Sequence, residues 1–277
     1  MLWLCLHFPR LPAEALGLRD PLAVVTEQRG AQRWLITDAP GIASGTPLGL
    51  ALSIQPVLCA QPRRAMAEHA MLLQLAQGLY RYGSPVCAEI REAVDAGRAP
   101  QALLWIEIAA SLQLFGGARA VCTAIRADLD ELEHRVQLAM APTRAAAALF
   151  AVHAPRCVAT PQALDAALAA VPIDALPWPS ASLAALRGVG LKTVGELLAL
   201  PRAAFARRFG TGHLRELDQL RGCAAEPAAA IVPPMPFKRR FELLGEVDTV
   251  EALSFALKRL TLELQQWLRA RDLGVRA

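Results

Sequence analysis

A chain of 277 residues, 54% hydrophobic and 19% charged, holds enough apolar material for one large or two to three small domains and is not a disordered tail. Its six cysteines (Cys5, Cys59, Cys87, Cys122, Cys157, Cys223) contain no CxxC pair and its five histidines no HExxH, which argues against a zinc ribbon or disulfide framework and suits a reducing cytoplasm. The net charge of +4 is unevenly spread: residues 1–177 carry 14 Lys and Arg against 15 Asp and Glu, whereas 178–277 carry 15 against 10. A phosphate-binding face in the second part requires such an excess, although ordinary solvated charge produces the same count.

In chain order, Leu2 to Phe8 reads as a buried strand, with His7 as a core or rim histidine. It is too short to span a membrane, lacks the basic start of a signal peptide and ends at Pro9-Arg10. Glu107 interrupts the next best apolar run, Leu103 to Phe115, so a soluble, cytoplasmic protein without membrane contact is expected. Strands are predicted at Ala23–Thr26, Trp34–Ile36 and Val57–Cys59, and a small-residue loop, Asp38 to Leu52, leads into a short helix. Arg63–Tyr80 has helical periodicity. Val86–Ile90 and Leu103–Ile108 look like paired strands, Ala118–Leu132 like an amphipathic helix, Val136–Ala141 like a strand and Thr143–Ala151 like a helix capped by Thr143. This succession predicts an α+β sheet covered by two helices.

Prolines at 155, 161, 172, 177 and 179 punctuate the text as at a domain boundary. Beyond them, LRGVGLKTVGELLALP (Leu186 to Pro201) places a Gly188-Val189-Gly190 turn between two apolar-periodic segments. Backbone N–H groups of Gly190, Lys192 and Thr193 then sit unpaired at the start of a helix over Leu191–Leu200, where the dipole favours an anion such as a phosphate. This is the pattern of a helix-hairpin-helix, a sequence-independent binder of nucleic-acid backbones; its bland alternative is a glycine turn between packed helices. A further helix is predicted at Gly212–Arg221. Glu226 to Pro236 reads as a proline-rich linker, Phe237–Leu243 as a strand carrying Lys238-Arg239-Arg240, and Glu251–Arg271 as a long amphipathic helix. The text stops at Gly274-Val275-Arg276, where another strand would begin, which suggests a break inside a domain.

The collinear series of the apolar first strand, GIASGTPLGLA, LWIEIAASLQLFGG, VQLAMAPTRAAA, the hairpin, the proline linker and the basic strand resembles the Y-family (translesion) DNA polymerases. LWLCLHFPRLPAEAL and SLQLFGG bring it nearest to the ImuB-type, catalytically degenerate branch of bacterial mutagenesis operons. The resemblance implies an α+β fold with palm, fingers, a helical thumb containing the helix-hairpin-helix, and the start of a little finger. The implied limits are 1–20 and 76–165 for the palm, 21–75 for the fingers, 166–232 for the thumb and 233–277 for the linker and truncated little finger.

Two-metal phosphoryl transfer needs several carboxylates converging on Mg²⁺. In active members one stands in the first strand, a position that falls here near Leu6, and an Asp-Glu pair stands in a second strand, at Ala102 and Leu103. The triphosphate-touching Tyr and Arg fall at Leu35 and Asp38. The resemblance therefore implies a pseudo-polymerase with no metal site and no cofactor. An active enzyme using displaced carboxylates such as Glu14, Glu89 or Glu107, and a helix-hairpin-helix repair protein, stay open as alternatives.

The DNA-binding half remains. Gly188, Gly190, Lys192 and Thr193 are assigned to backbone phosphate contact, Arg187, Arg207 and Arg208 to added charge on the same face, and Lys238, Arg239 and Arg240 to little-finger contacts. The implied partners are primer–template DNA, an error-prone C-family polymerase, a RecA-like accessory protein and the sliding clamp, the last through residues beyond this chain. Ser111–Phe115 imitates a clamp-binding QLxLF peptide, but it stands between a core strand and the Gly116-Gly117 turn rather than in an exposed tail.

Overall fold

The computed structural model of the chain describes residues 1–227, 229–232, 237–241 and 249–269. Strand β1 (Trp3–His7) leads through one helical turn, α1 (Leu11–Glu14), into the hairpin β2 (Ala23–Arg29) and β3 (Gln32–Leu35). Helix α2 (Leu48–Ile54), strand β4 (Cys59–Pro62) and helix α3 (Ala65–Leu79) follow, then the hairpin β5 (Val86–Arg91) and β6 (Gln101–Glu107). Next come α4 (Leu112–Phe115), α5 (Ala118–Glu131), β7 (Gln137–Ala141) and α6 (Arg144–His153). A helical unit of α7 (Pro161–Ala169), α8 (Ser180–Gly188), α9 (Val194–Leu198), α10 (Arg202–Phe209) and α11 (Thr211–Arg221) precedes the last described helix, α12 (Val250–Arg269).

β1 lies in the middle of an antiparallel sheet of order β5-β6-β1-β7, with Cys5 paired to Trp105 on one side and Ala139 on the other. Its side chains alternate between two covered faces, which is why the strand is apolar at almost every position. Leu2, Leu4, Leu6 and Phe8 pack with Leu72, Leu75 and Leu79 of α3 and Val121, Ile125 and Leu129 of α5. Trp3 and Cys5 face the opposite way, with Leu103, Trp105 and the alanine run Ala146–Ala148 of α6. Those small side chains let α6 lie close on the sheet. Thr143 starts it, accepting the N–H of Ala146 at 3.2 Å and donating to Leu220 O at 2.9 Å, so one hydroxyl both caps α6 and anchors α11.

The second sheet, β3-β2-β4, carries its own small core of Val24, Leu35, Ile42, Ala51 and Leu58 beneath α2. The strand expected at Val57–Cys59 forms later, at Cys59–Pro62, where it pairs in parallel with Ala23–Thr26 of β2.

Thr160 caps α7 and Pro161 opens it, and the helix runs through the boundary expected between residues 165 and 166. It crosses α9 at Gly195, where a Cβ would come within 2.9 Å of Ala169 Cα. Bidentate pairs, Arg202 with Asp218 and Arg221 with Asp165, tie α10 to α11 and α11 to α7.

Of the stretch Glu226 to Pro236, expected as a linker, described residues are pinned across the first sheet. Glu226 accepts the N–H of Ala145 at 2.8 Å, Arg144 donates to Pro227 O at 2.8 Å and Ile231 N–H donates to Val86 O at 2.9 Å. The strand expected over Phe237–Leu243 is absent from Phe237–Phe241, and residues 242 and 243 lie outside the described ones. Among the described residues no helix is long and apolar enough to cross a membrane.

Trp105 is fully enclosed and donates its indole N–H to Arg144 O at 3.0 Å, joining β6 to α6. Trp105→Ala is expected to cost about 3–5 kcal/mol in urea unfolding, against a change under about 0.5 kcal/mol for the exposed Arg119→Ala.

Candidate nucleic-acid interface

The register of β1 against β6 sets His7 opposite Leu103 and Leu6 opposite Leu104. Directly opposed residues of an antiparallel pair share a face. Leu6 and Ala102 therefore point into the α3–α5 core, while Leu103 points to the α6 side. The three positions are 0%, 5% and 0% exposed, so apolar packing has replaced any cluster of charge there. It is His7, not Leu6, that stands beside Leu103. Its Nδ1–H donates to Gln137 Oε1 at 3.0 Å.

The carboxylates considered as replacements serve separate structural ends. Glu107 stands opposite Trp3 at the start of β1 and accepts the N–H groups of Leu2 (2.9 Å) and Ala109 (3.2 Å). Glu89 stands opposite Leu103 and pairs with Arg91. Four residues of β6 separate these two levels, about 13 Å along the strand. Glu14 accepts from His134 Nδ1 at 2.6 Å and Arg135 N at 3.0 Å. Burial pushes the Cys5 thiol up, which removes it as a thiolate ligand. Among the described residues no three His, Cys, Asp or Glu gather as a metal site, and the apolar donor set of this face does not fit Mg²⁺.

The two positions that the resemblance sets against the triphosphate, Leu35 and Asp38, have structural partners instead. Leu35 is core beneath α2, and Asp38 Oδ1 accepts the N–H of Ser44 at 2.6 Å, closing its own loop. This loop closure across six residues accounts for the Asp, whose charge would repel a phosphate.

In the helical unit, α8 ends at Gly188 and Gly190 takes φ +88°, a left-handed conformation at the sharp turn that the glycine spacing predicts. The second helix is shorter than Leu191–Leu200, spanning only Val194–Leu198, and its donors are not unpaired. Glu196 Oε2 accepts from Lys192 N at 2.6 Å and Thr193 N at 3.1 Å, while Gly190 N–H donates to Arg187 O at 2.9 Å. Thr193 and Glu196 form a capping box, and the T-x-x-E spacing that signals it is visible in the sequence. The two backbone hydrogen bonds hold the Glu196 carboxyl below its ordinary range. Arg187, Gly188, Gly190 and Lys192 line the exposed tip with Val189, and Arg207 and Arg208 are exposed in the last turn of α10.

The basic stretch lies elsewhere. Arg239 is turned inward, its side chain only 15% exposed, donating to Gln77 of α3 at 2.7 Å and facing Glu263 of α12. Lys238 and Arg240 flank it on the surface. Because α3 and the hairpin cover opposite faces of the first sheet, 238–240 and 187–193 do not form one continuous face. The QLxLF-like turn is α4: Leu112 and Phe115 pack into the core, Phe115 against Tyr82 at 5.3 Å, leaving Leu114 82% exposed. It is not an accessible peptide.

A sheet with covered faces, a small second sheet and a helical hairpin unit define the architecture of the Y-family DNA polymerases, which solved structures share. DinB from Sulfolobus solfataricus matches at a TM-score of 0.63 with 17% identity, covering 83% of this chain and 70% of that one. An insertion ternary complex of Dbh DNA polymerase matches at 0.64 with 16% identity (82% and 69% covered), and a Y-family DNA polymerase chimera at 0.61 with 16% (84% and 71%). At such identity the likeness shows the fold alone, in a palm-, fingers- and thumb-like arrangement. By sequence, the chain is 30% identical over 215 residues to Protein ImuB of Caulobacter vibrioides, from strain NA1000 / CB15N and from strain ATCC 19089 / CIP 103742 / CB 15. The match covers 77% of this chain and 45% of each relative, so the chain spans about half the length of the curated relatives it matches. No family model matches. Sequence and structure point to one superfamily, that of the Y-family DNA polymerases.

Burial lowers the pKa of His7 below its ordinary 6.5, with the Gln137 hydrogen bond opposing. The unfolded chain thus binds a proton that the folded one refuses, so this contribution to stability is lost as the pH falls below 6.5. His7→Gln is expected to reduce the drop in urea midpoint between about pH 7.5 and about pH 5.5, with His153, also held low by burial, supplying part of the remainder.

Proposed function

We propose that this chain is the DNA-holding part of a catalytically inactive Y-family homologue, acting as a scaffold in SOS-induced mutagenic translesion synthesis. One observation carries the reading: the positions of the metal-binding carboxylates are buried leucine and alanine, while the thumb keeps its glycine turn and an exposed basic rim. Arg187, Gly188, Gly190, Lys192 and Thr193 meet the backbone of primer–template DNA, and Arg207 and Arg208 extend the contact along α10. Lys238 and Arg240 make a second contact on the other side of the palm. An error-prone C-family polymerase, a RecA-like accessory protein and the sliding clamp, the partners that the family resemblance implies, are proposed here as well. The palm is proposed to end before Thr160, where α7 opens the thumb.

Glu196 sets a condition on the hairpin contact. Its carboxylate occupies the donors a phosphate would use, so DNA must displace it. Two substitutions of opposite sign test this on a labelled primer–template at low salt. Lys192→Glu weakens binding, whereas Glu196→Ala tightens it; weakening by both would show a damaged thumb rather than a phosphate site. Replacing Arg207 and Arg208 by Ala is expected to lower the slope of log K against log salt by about one for each phosphate that these arginines neutralise. Primer extension with Mg²⁺ or Mn²⁺ is expected to yield no template-dependent product, and incorporation abolished by Glu89→Ala or Glu107→Ala would overturn the scaffold reading.

A further inference from the structure

The loop joining β5 to β6, residues 92–100, touches all three parts of the molecule. Towards the fingers, Arg29 Nη1 donates to the carbonyls of Asp95 (3.1 Å), Ala96 (2.7 Å) and Arg98 (2.6 Å). Glu92 accepts from Arg63 at 2.6 and 3.0 Å, and the same guanidinium holds Glu27 and the buried Glu68. The fingers loop and the palm loop also meet backbone to backbone, since a Cβ on Gly45 would lie 2.0 Å from Gly97 O. Gly45 already needs its glycine for φ +82°, so this position tolerates no side chain.

Towards the thumb, Asp95 Oδ2 accepts the N–H of Ser180 at 2.7 Å. Helix α8 begins after Pro179, which has no side chain able to cap it, so a carboxylate from the palm supplies the cap from outside. Arg98 donates to Leu176 O at 3.0 Å and Asp174 O at 3.3 Å, in the turn that leads into α8. The loop and residues 175–178 face each other across a cleft of about 470 Å³, with Ala145 and Ala148 of α6 among its walls.

We propose that this loop is a brace that locks the fingers to the thumb across the palm, holding the hairpin and α10 in one orientation whether or not nucleic acid is present. Fingers that swing and a thumb that rocks require a hinge free of cross-ties. Here an arginine from the fingers and a helix cap on the thumb are satisfied by the same few residues, so movement of either relative to the other breaks hydrogen bonds on at least one side of the loop. The brace is independent of what the thumb binds, and its test uses no DNA.

Hydrogen exchange followed by mass spectrometry on the whole chain reads the brace directly. With Asp95 and Arg98 both replaced by Ala, amides of residues 173–186 are expected to exchange at least about tenfold faster, while β1, β6 and α6 stay as slow as in the unaltered chain. Arg98→Lys, which keeps one donor, is expected to fall between. Asp95→Asn changes only the charge of the cap and is expected to speed the first turn of α8 alone, a readout that does not depend on the double variant folding. Unchanged exchange over 173–186 would overturn the proposal. So would equal acceleration throughout β1 and β6, which would make the loop a support of the palm core rather than a tie between fingers and thumb.

Discussion

Strand β1 is paired on both edges and covered on both faces, and the architecture follows from that enclosure. A carboxylate at the end of such a strand costs several kcal/mol of desolvation unless a metal or hydrogen-bond donors compensate it. Leucine and cysteine remove the cost altogether. Leu4, Cys5 and Leu6 are completely buried, so the strand where the resemblance would set a metal ligand serves here as part of the core. Helix α6 can then press its alanines onto one face while α3 and α5 cover the other. The apolar side chains that leave this strand without a carboxylate are the ones that pack it on both faces.

The acidic side chains that remain near the backbone share a second habit. Glu107 holds the N–H groups of Leu2 and Ala109, Glu226 that of Ala145 at the start of α6, and Asp95 that of Ser180 at the start of α8. Glu196 closes the hairpin helix upon itself, and Asp38 closes the loop before Ser44. Each carboxylate takes up orphan donors at a turn or helix start, where the local field favours negative charge. Such a carboxylate is already satisfied and is not available to gather a cation. The same habit carries a consequence for nucleic acid, because the thumb presents its glycine turn with an internal anion in place.

Much of this was legible in the residues. Short, near-continuous apolar runs located β1, β6 and β7, Thr143 announced the start of α6, and the Gly188-Val189-Gly190 spacing marked a turn. The absence of carboxylates from the first strand and from Ala102-Leu103 was equally readable, since it needs only residue types in order. Two further local signals stand in the sequence: Thr160-Pro161 at the start of α7, and Thr193 with Glu196 at the spacing of a capping box. The inward turn of Arg239 left no local trace, because its partners Gln77 and Glu263 come from distant segments.

Residue order and type were enough to settle the kind of element at most places and the chemistry that a strand without carboxylates cannot perform, since periodicity and side-chain character act over a few neighbours. Only the folded chain settled which side chains share a face: His7 rather than Leu6 beside Leu103, and the basic stretch at 238–240 on the far side of the sheet from the hairpin. Folding also made the loop between β5 and β6 a tie among three parts of the molecule, with Arg29 and Ser180 reaching it from opposite directions. These outcomes depend on register and on crossings between segments tens of residues apart, and a one-residue shift in pairing exchanges the two faces of a strand.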